Sequence, residues 1–588
     1  MKKFHGIPIA PGIARGVAWP ILPVEAGPTP RYAVSTECVA GEHVRLEEAL
    51  DFACGELLAL KRSLTAKLED ADTAIMDVHV ALLRDPSFLA DVKARIHRDL
   101  VTAEHAVAVE TESMVARFLQ MENAYMRERA SDLRDIGTRL LSAFTRGAHP
   151  SDRHASFPAN SIVIAAELMP SQAAELDPGR VVGILTEIGG PSSHAAILAR
   201  SFGIPFVTGI PDVVQLVQRG ESILIDGYTG ETILSPTAPA TLRFDVLLKE
   251  HEDYTEAIIH HRHEPCLTTD GVRVTLHANI GSVSEVSTVL DNGLDGVGLF
   301  RTEFLFLGTA HAPRLSVHER IYRSVLQPLR DRPVTIRVLD LGEDKIPEFL
   351  RARPKLCHRF NVRGLRFALA FPNFLRTQLR GLLRASSDGN VRILFPMVVG
   401  VDDFQAAVAH VAWAAEKEKL TAMPPVGAMI ETPSALFELD GIIEFADFLS
   451  VGTNDLTQYL LAASREDTDY EGHYSMLYPG VLKALQHIVD RAARAECDVS
   501  VCGEAAGIPA VACLLVGMGF RILSMSPHRS AAVRHALRLM SANELKQIAT
   551  DALQMRRVAD IRRHIKERME SRVQPVHDSH AAGVEAIV

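Results

Sequence analysis

The sequence predicts a multidomain α/β protein: an α/β domain interrupted by an inserted helical bundle, then a C-terminal TIM (β/α)8 barrel. Three observations predict it. Eight short apolar runs separated by helix-length stretches fill the second half of the chain. Before them, from Ser161 to Leu234, short apolar runs alternate with helical pattern. From about Glu37 to Gly147 the apolar residues instead repeat at helical period with few breakers. At 588 residues the chain is also too long for one core and calls for about three to four domains.

In chain order, residues 1–20 read as a short strand with tight turns (Gly6-Ile7-Pro8-Ile9-Ala10-Pro11-Gly12-Ile13-Ala14-Arg15-Gly16). This is too little to stand alone and is expected to join a sheet elsewhere. Residues 1–20 plus 148–236 are therefore expected to form the α/β domain, with 21–147 as its helical insertion. Within the insertion, Ala74–Asp85 and Tyr125–Gly137 set charged rows beside apolar stripes, the pattern of a bundle with a solvated outer face. The strands of the α/β domain are expected at Ser161–Ala165, Val181–Leu185, Phe206–Gly209 and Ser222–Asp226. Residues 237–265 are read as a linker, with 238–263 as one charged, polar helix (Leu247 to His263). The barrel is expected over 266–570, with strands at Val272–Asn279, Val297–Phe300, Val334–Asp340, Val391–Met397, Val426–Ile430, Phe448–Val451, Val499–Cys502 and Ile522–Met525. A tail, 571–588, carries no pattern.

Composition narrows the function classes. A 47% apolar and 23% charged chain is ordinary for a globular protein. A net charge of -11 argues against a nucleic-acid binder, which normally carries a basic domain. The start has no long apolar stretch before Pro8, so it is a poor signal peptide, and no segment has the roughly 18 apolar residues of a membrane span. Seven cysteines without a C-x-x-C pair point to free thiols in a reducing cytoplasm.

The chemistry begins at Gly189-Gly190-Pro191-Ser192-Ser193-His194-Ala195-Ala196-Ile197-Leu198-Ala199-Arg200. An apolar run ends in two glycines, serines open a helix, and a histidine lands in its first turn. Unpaired N–H groups and the positive end of the helix dipole gather there, a place to hold phosphate. A neutral imidazole at such a site is a nucleophile able to carry a phosphoryl group.

A second set of polar residues stands at the ends of the barrel runs, where a TIM barrel places its chemistry. The second run leads into Arg301-Thr302-Glu303, and the third holds Arg337 and ends in Asp340. The fifth ends in Glu431, the sixth in Gly452-Thr453-Asn454-Asp455 with Arg465 beyond, and the seventh in Cys502-Gly503-Glu504. Arginines fork onto phosphate and carboxylate oxygens. Glu431 and Asp455 supply hard oxygen ligands for a cation such as Mg²⁺, and Asn454 a hydrogen bond to a small anion. Together they predict an anion-plus-metal site.

At this point the chain resembles the phosphoenolpyruvate-protein phosphotransferase family, enzyme I of the bacterial phosphotransferase system. The resemblance spans nearly the whole chain in order. It rests on the opening Gly6–Ala14, on Glu128–Gly137, the histidine loop, Ala278-Asn279-Ile280-Gly281, Gly298–Phe306, Ser450–Tyr459 and Val501-Cys502-Gly503-Glu504. It implies that His194 accepts the phosphoryl group and that the α/β domain swivels between two stations. It further implies that Arg301, Arg337 and Arg465, with Asn454 and Asp455, bind phosphoenolpyruvate, that Glu431 and Asp455 hold Mg²⁺, and that Cys502 donates a proton. A small HPr-like phosphocarrier protein would dock on the helical insertion, near segments that include Asp77, His79 and Asp85. A homodimer through the barrel and a cytoplasmic location are also implied, with the sugar-uptake and nitrogen-regulatory branches undecided.

Some loops depart from the family pattern. Pro191 and Ser192 replace Arg and Thr beside the histidine, Glu343 replaces a glycine, Phe360-Asn361-Val362-Arg363 replaces Leu-Gly-Trp-Arg, and Ser464-Arg465-Glu466-Asp467 replaces Asp-Arg-Gly-Asn. Two other readings remain. A pyruvate-phosphate dikinase or phosphoenolpyruvate synthase shares the histidine domain and barrel, but would need an ATP-grasp domain for which nothing here offers a nucleotide loop. A non-catalytic regulatory scaffold would keep the partners and lose the turnover.

Overall fold

The computed structural model describes residues 1–21, 32–65, 70–120, 124–144, 157–190, 193–306, 311–341, 363–463 and 474–570. The chain divides into two compact units, Met1–His251 and a second that begins at Glu252.

The first unit is built on one sheet. Its strands are β1 (Lys2–His5), β2 (Ile7–Ala10), β3 (Ile13–Pro20), β4 (Ser161–Ala165), β5 (Val181–Thr186), β6 (Phe206–Thr208), β7 (Ser222–Asp226) and β8 (Glu231–Leu234). Their order is β1-β8-β7-β3-β4-β5-β6-β2. The first twenty residues join this sheet as expected, but as three strands instead of one. Gly6 and the Pro11-Gly12 pair break the run, so β1 pairs with β8 at one edge, β2 with β6 at the other, and β3 lies in the middle. β3 runs parallel to β4, with Val17 opposite Ser161, so the segment before the insertion and the segment after it lie side by side.

Between β3 and β4 the chain makes five helices among the described residues: α1 (Val39–Thr65), α2 (Asp70–Leu83), α3 (Pro86–Asp99), α4 (Ala103–Leu119) and α5 (Ala124–Phe144). Their buried residues follow the helical repeat. Leu46, Leu50, Ala53 and Leu57 face inward on α1, and Phe88, Val92 and Ile96 do so on α3. One core joins these residues to Ile184, Ala196 and Phe206 of the sheet layer.

The second unit is a closed barrel of eight parallel strands: β9 (Thr275–Ile280), β10 (Gly296–Phe300), β11 (Val334–Arg337), β12 (Val391–Phe395), β13 (Val426–Ile430), β14 (Phe448–Val451), β15 (Asp498–Val501) and β16 (Ile522–Met525). β16 closes on β9, with Ser524 opposite His277. Each of the eight expected runs is a strand. The third is shorter than expected, ending at Arg337 where Asp340 was expected. There the backbone N–H groups of Leu339 and Asp340 turn to side chains, Gln378 Oε1 and Glu303 Oε1, and leave the ladder. The main core fills the space between strands and outer helices. A separate cluster of Leu299, Leu394, Met429, Phe448 and Cys502 comes from the alternate positions that face the barrel interior.

The charged linker helix starts where it was expected and ends three residues earlier: it is a single helix from Ala238 to His260. The division between the two units falls within it. The tail 571–588 lies outside the described residues.

Candidate functional site

In the first unit, β5 leads into a loop and then helix α6 (His194–Phe202). Ser193 is its N-cap, and its hydroxyl accepts a hydrogen bond from Ala196 N at 3.2 Å. His194 is therefore the first helical residue, at the positive end of the dipole, as the sequence predicted. Ala195, Ala196, Leu198 and Ala199 bury the opposite face of α6 in the core. Beneath the loop, Thr186 Oγ1 donates to Thr208 Oγ1 at 2.7 Å and ties the ends of β5 and β6 together. Pro191 and Ser192 lie outside the described residues, as does the side chain of His194.

In the second unit the expected polar residues meet at the C-terminal ends of the barrel strands. Arg337 ends β11. Its Nη2 donates to Glu303 Oε1 at 2.9 Å, and its Nη1 lies 3.3 Å from Asp340 Oδ2. Arg301, just past β10, donates to Glu504 Oε1 at 3.1 Å, and both side chains are half-exposed. Asn454 and Asp455 sit in the first turn of the helix Thr453–Leu461 that follows β14. Asn454 Oδ1 accepts from Glu504 N at 3.3 Å, which joins it to the Arg301 pair.

Glu431 follows β13 and is 1% exposed. Met397 N donates to its Oε1 at 2.6 Å. A Cβ at position 452 would stand 2.4 Å from Glu431 Oε2, so the chain after β14 approaches this carboxylate as only glycine allows. Burial, and then the charges of Asp340 and Asp455, push the Glu431 carboxyl up to about 8. Cys502 lies just past β15 with its Sγ donating to Val451 O at 3.5 Å. Burial pushes its thiol up to about 11, so it keeps its proton at neutral pH.

Sequence reasoning left Arg363 out of the site. It stands between two carboxylates. Its Nε and Nη2 donate to Asp340 at 3.2 and 3.1 Å, and its Nη1 and Nη2 donate to Asp455 at 2.8 and 3.2 Å. Burial opposes its charge, but Asp340 and Asp455 outweigh burial and hold the guanidinium above its usual range. Its signal in the sequence was the arginine kept in Phe360-Asn361-Val362-Arg363. Glu303, which orients Arg337, was visible only as one more polar residue at a strand end.

The mouth thus brings together Arg301, Arg337, Asn454, Asp455, Glu431 and Cys502. Arg465 lies outside the described residues, as do Glu343, Glu466 and the other altered loop positions before Arg363. Two residues named for partner docking have structural duties. His79 is 1% exposed and faces Asp132 at 3.8 Å and Asp135 at 3.9 Å inside the bundle. Asp85 caps α3, accepting from Ser87 N and Phe88 N at 2.9 Å each. The Asp77 side chain lies outside the described residues.

The donor set suits a hard divalent cation. Glu431, Asp340 and Asp455 offer hard carboxylate oxygens, and the repulsion felt by Glu431 from the other two is what a cation would relieve. Arg363 supplies part of that positive charge here.

The parallel barrel and the α/β unit with a histidine at a helix start both fall within models of phosphoenolpyruvate-utilising enzymes. Three family models match in order: the N-terminal model over residues 5–129, the mobile-domain model over 157–230 and the PEP-binding model over 256–542. A phosphoenolpyruvate-protein phosphotransferase of Geobacillus stearothermophilus is 34% identical over 568 residues, 94% of this chain and 96% of its own. That of Bacillus subtilis is 32% identical over 581 residues, 96% of this chain and 100% of its own. A solved enzyme I structure, 27% identical, covers 42% of this chain and 99% of its own at a TM-score of 0.34, too low to carry an argument. The chain belongs to the phosphoenolpyruvate-protein phosphotransferase family.

Proposed function

We propose that this chain takes the phosphoryl group of phosphoenolpyruvate onto His194 and passes it to a histidine of a small HPr-like phosphocarrier protein, releasing pyruvate. The observation that carries this reading is the join of two features in one chain of the family. One is a capped helix start at His194. The other is a barrel mouth where Arg301, Arg337 and Asn454 stand beside buried Glu431 and Asp455.

The chemistry follows from these groups. Arg301 and Arg337, with Arg465, neutralise the carboxylate and phosphate of phosphoenolpyruvate, and Asn454 hydrogen-bonds it. Glu431 and Asp455 would hold Mg²⁺, which supplies positive charge at the substrate oxygens. A ring nitrogen of His194 attacks phosphorus in line. The N–P bond forms as the bond from phosphorus to the enol oxygen breaks. The enolate left behind takes a proton on carbon from the Cys502 thiol, giving pyruvate, and the thiolate regains a proton from solvent. The two half-reactions have different partners, so the α/β domain must swivel between the barrel and the carrier-binding helices.

We place the domain limits at 1–20 plus 148–236 for the α/β domain, 21–147 for the carrier-binding insertion, 237–265 for the linker, 266–570 for the barrel and 571–588 for the tail. A homodimer and a cytoplasmic location complete the proposal. In support, no described helix is long and apolar enough to cross a membrane, and all six described cysteines are free.

One assay tests the reading: purified protein with labelled phosphoenolpyruvate, Mg²⁺ and candidate carriers, with and without ATP. Label on the wild type and then on a carrier without nucleotide is expected, and His194→Ala is expected to abolish it. Nucleotide dependence would indicate a dikinase instead, and no labelling a scaffold.

A further inference from the structure

A hydrogen-bond chain lies behind the barrel mouth and belongs to none of the steps above. His318 and Tyr322 stand on the helix Leu315–Leu329, Gln378 on the helix Pro372–Ala385, and Thr302 just past β10. Each is at most 1% exposed. Gln378 Nε2 donates to Tyr322 OH at 3.1 Å and to Thr302 Oγ1 at 3.0 Å, and Gln378 Oε1 accepts from Leu339 N at 3.1 Å. Thr302 Oγ1 in turn donates to Arg337 O at 2.9 Å.

Every proton in this chain has one place. Both amide hydrogens of Gln378 are used. Turning its amide over would set N–H against the N–H of Leu339. Tyr322 accepts from Gln378, and in the Nε2–H tautomer of His318 it donates its own proton to Nδ1, 3.1 Å away. That requires a neutral imidazole, and burial pushes His318 down to about 4. Burial also pushes the Tyr322 phenol up, so it keeps its proton. A Cβ at position 381 would stand 2.4 Å from His318 Cβ, so Gly381 lets the two helices close enough to form the chain.

The segment held is 337–340. The chain fixes Arg337 O and Leu339 N, while the neighbouring Glu303 takes Asp340 N at 3.0 Å and Arg337 Nη2 at 2.9 Å. We infer that Gln378, oriented by Tyr322 and His318, is a positioning residue for phosphoenolpyruvate: it holds the loop that aims Arg337 at the substrate and Asp340 at Arg363. This rests on the substrate assignment proposed above.

The test is a comparison of Gln378→Met, which removes all three hydrogen bonds at similar volume, with Tyr322→Phe. The measurements are kcat and KM for phosphoenolpyruvate, and the reverse transfer from a phosphorylated carrier to His194, which does not use the barrel. Gln378→Met is expected to raise KM on the order of tenfold while reverse transfer stays at the wild-type rate. Tyr322→Phe is expected to shift KM the same way by a smaller factor. An unchanged KM in a Gln378→Met protein that has only lost thermal stability overturns the positioning role. If Gln378→Met does not fold, Tyr322→Phe with wild-type KM overturns it. A wild-type protein that takes no label from phosphoenolpyruvate overturns the substrate reading instead.

Discussion

Cys502 shows how much a single residue's role depends on its surroundings. A cysteine at a strand end is more often a small buried apolar residue than an acid. In the fold it is buried, with its thiol pushed up to about 11. A group that must deliver a proton at neutral pH has to hold one, and burial secures that. Iodoacetamide is expected to modify Cys502 on the order of a hundredfold more slowly at pH 8 than exposed Cys38, with the rate rising through pH 9 to 11. Peptide mapping reads this directly, and a plateau below pH 9 would show a thiolate. Cys502→Ala is expected to slow pyruvate formation with the fold intact, and an unchanged turnover rate would rule out the acid role. Gly452 gives a complementary test of the proposed cation site. Gly452→Ala forces a methyl to within 2.4 Å of Glu431 Oε2, so the carboxylate must move. Mn²⁺ bound in place of Mg²⁺, followed by paramagnetic resonance, is expected to weaken by about tenfold or more. Undiminished binding would remove Glu431 from the cation site.

At the level of elements, local signals were reliable where local physics decides. The Ser193 cap and the start of α6 at His194 were readable because a helix N-terminus needs a side-chain acceptor for its unpaired N–H groups. Ser193→Ala is expected to destabilise the first unit by about 1 kcal/mol, measured by urea unfolding. The eight barrel strands were readable from apolar runs, but not all of their ends. Val338 and Leu339 continue the apolar run of β11, and only the arrival of Gln378 and Glu303 from elsewhere takes the N–H groups of Leu339 and Asp340 off the ladder. The structural duties of His79 and Asp85 are likewise set by their surroundings. In the bundle His79 is enclosed beside Asp132 and Asp135, and Asp85 caps the start of α3.

At the scale of the molecule, the two units are expected to respond differently to acid. The barrel buries His277 and His318, and burial pushes each down to about 4 from an ordinary value near 6.5. Asp295 opposes this shift at His277 and Arg392 adds to it. Each is neutral in the fold but takes up a proton when unfolded below about pH 6.5. The two histidines thus lower barrel stability below that pH, by about 1.4 kcal/mol per pH unit each, while Glu431, pushed up to about 8, gives back about one such increment per pH unit as the pH falls from 8 to about 4.5, so a net loss toward pH 5 remains. Calorimetry from pH 7.5 to 5 is expected to show two transitions, with the barrel's moving down on acidification. A pH-independent barrel transition would contradict the burial of these histidines as neutral groups. The sequence by itself determined the kinds of elements, their order and the residue types available for chemistry, because periodicity, caps and side-chain identity are local properties. Only the tertiary structure decided the pairings: Arg363 between Asp340 and Asp455, Asn454 with Glu504, and Gln378 behind Arg337. These partners come from different strands and helices, and the closure of the barrel is what brings them within hydrogen-bonding distance.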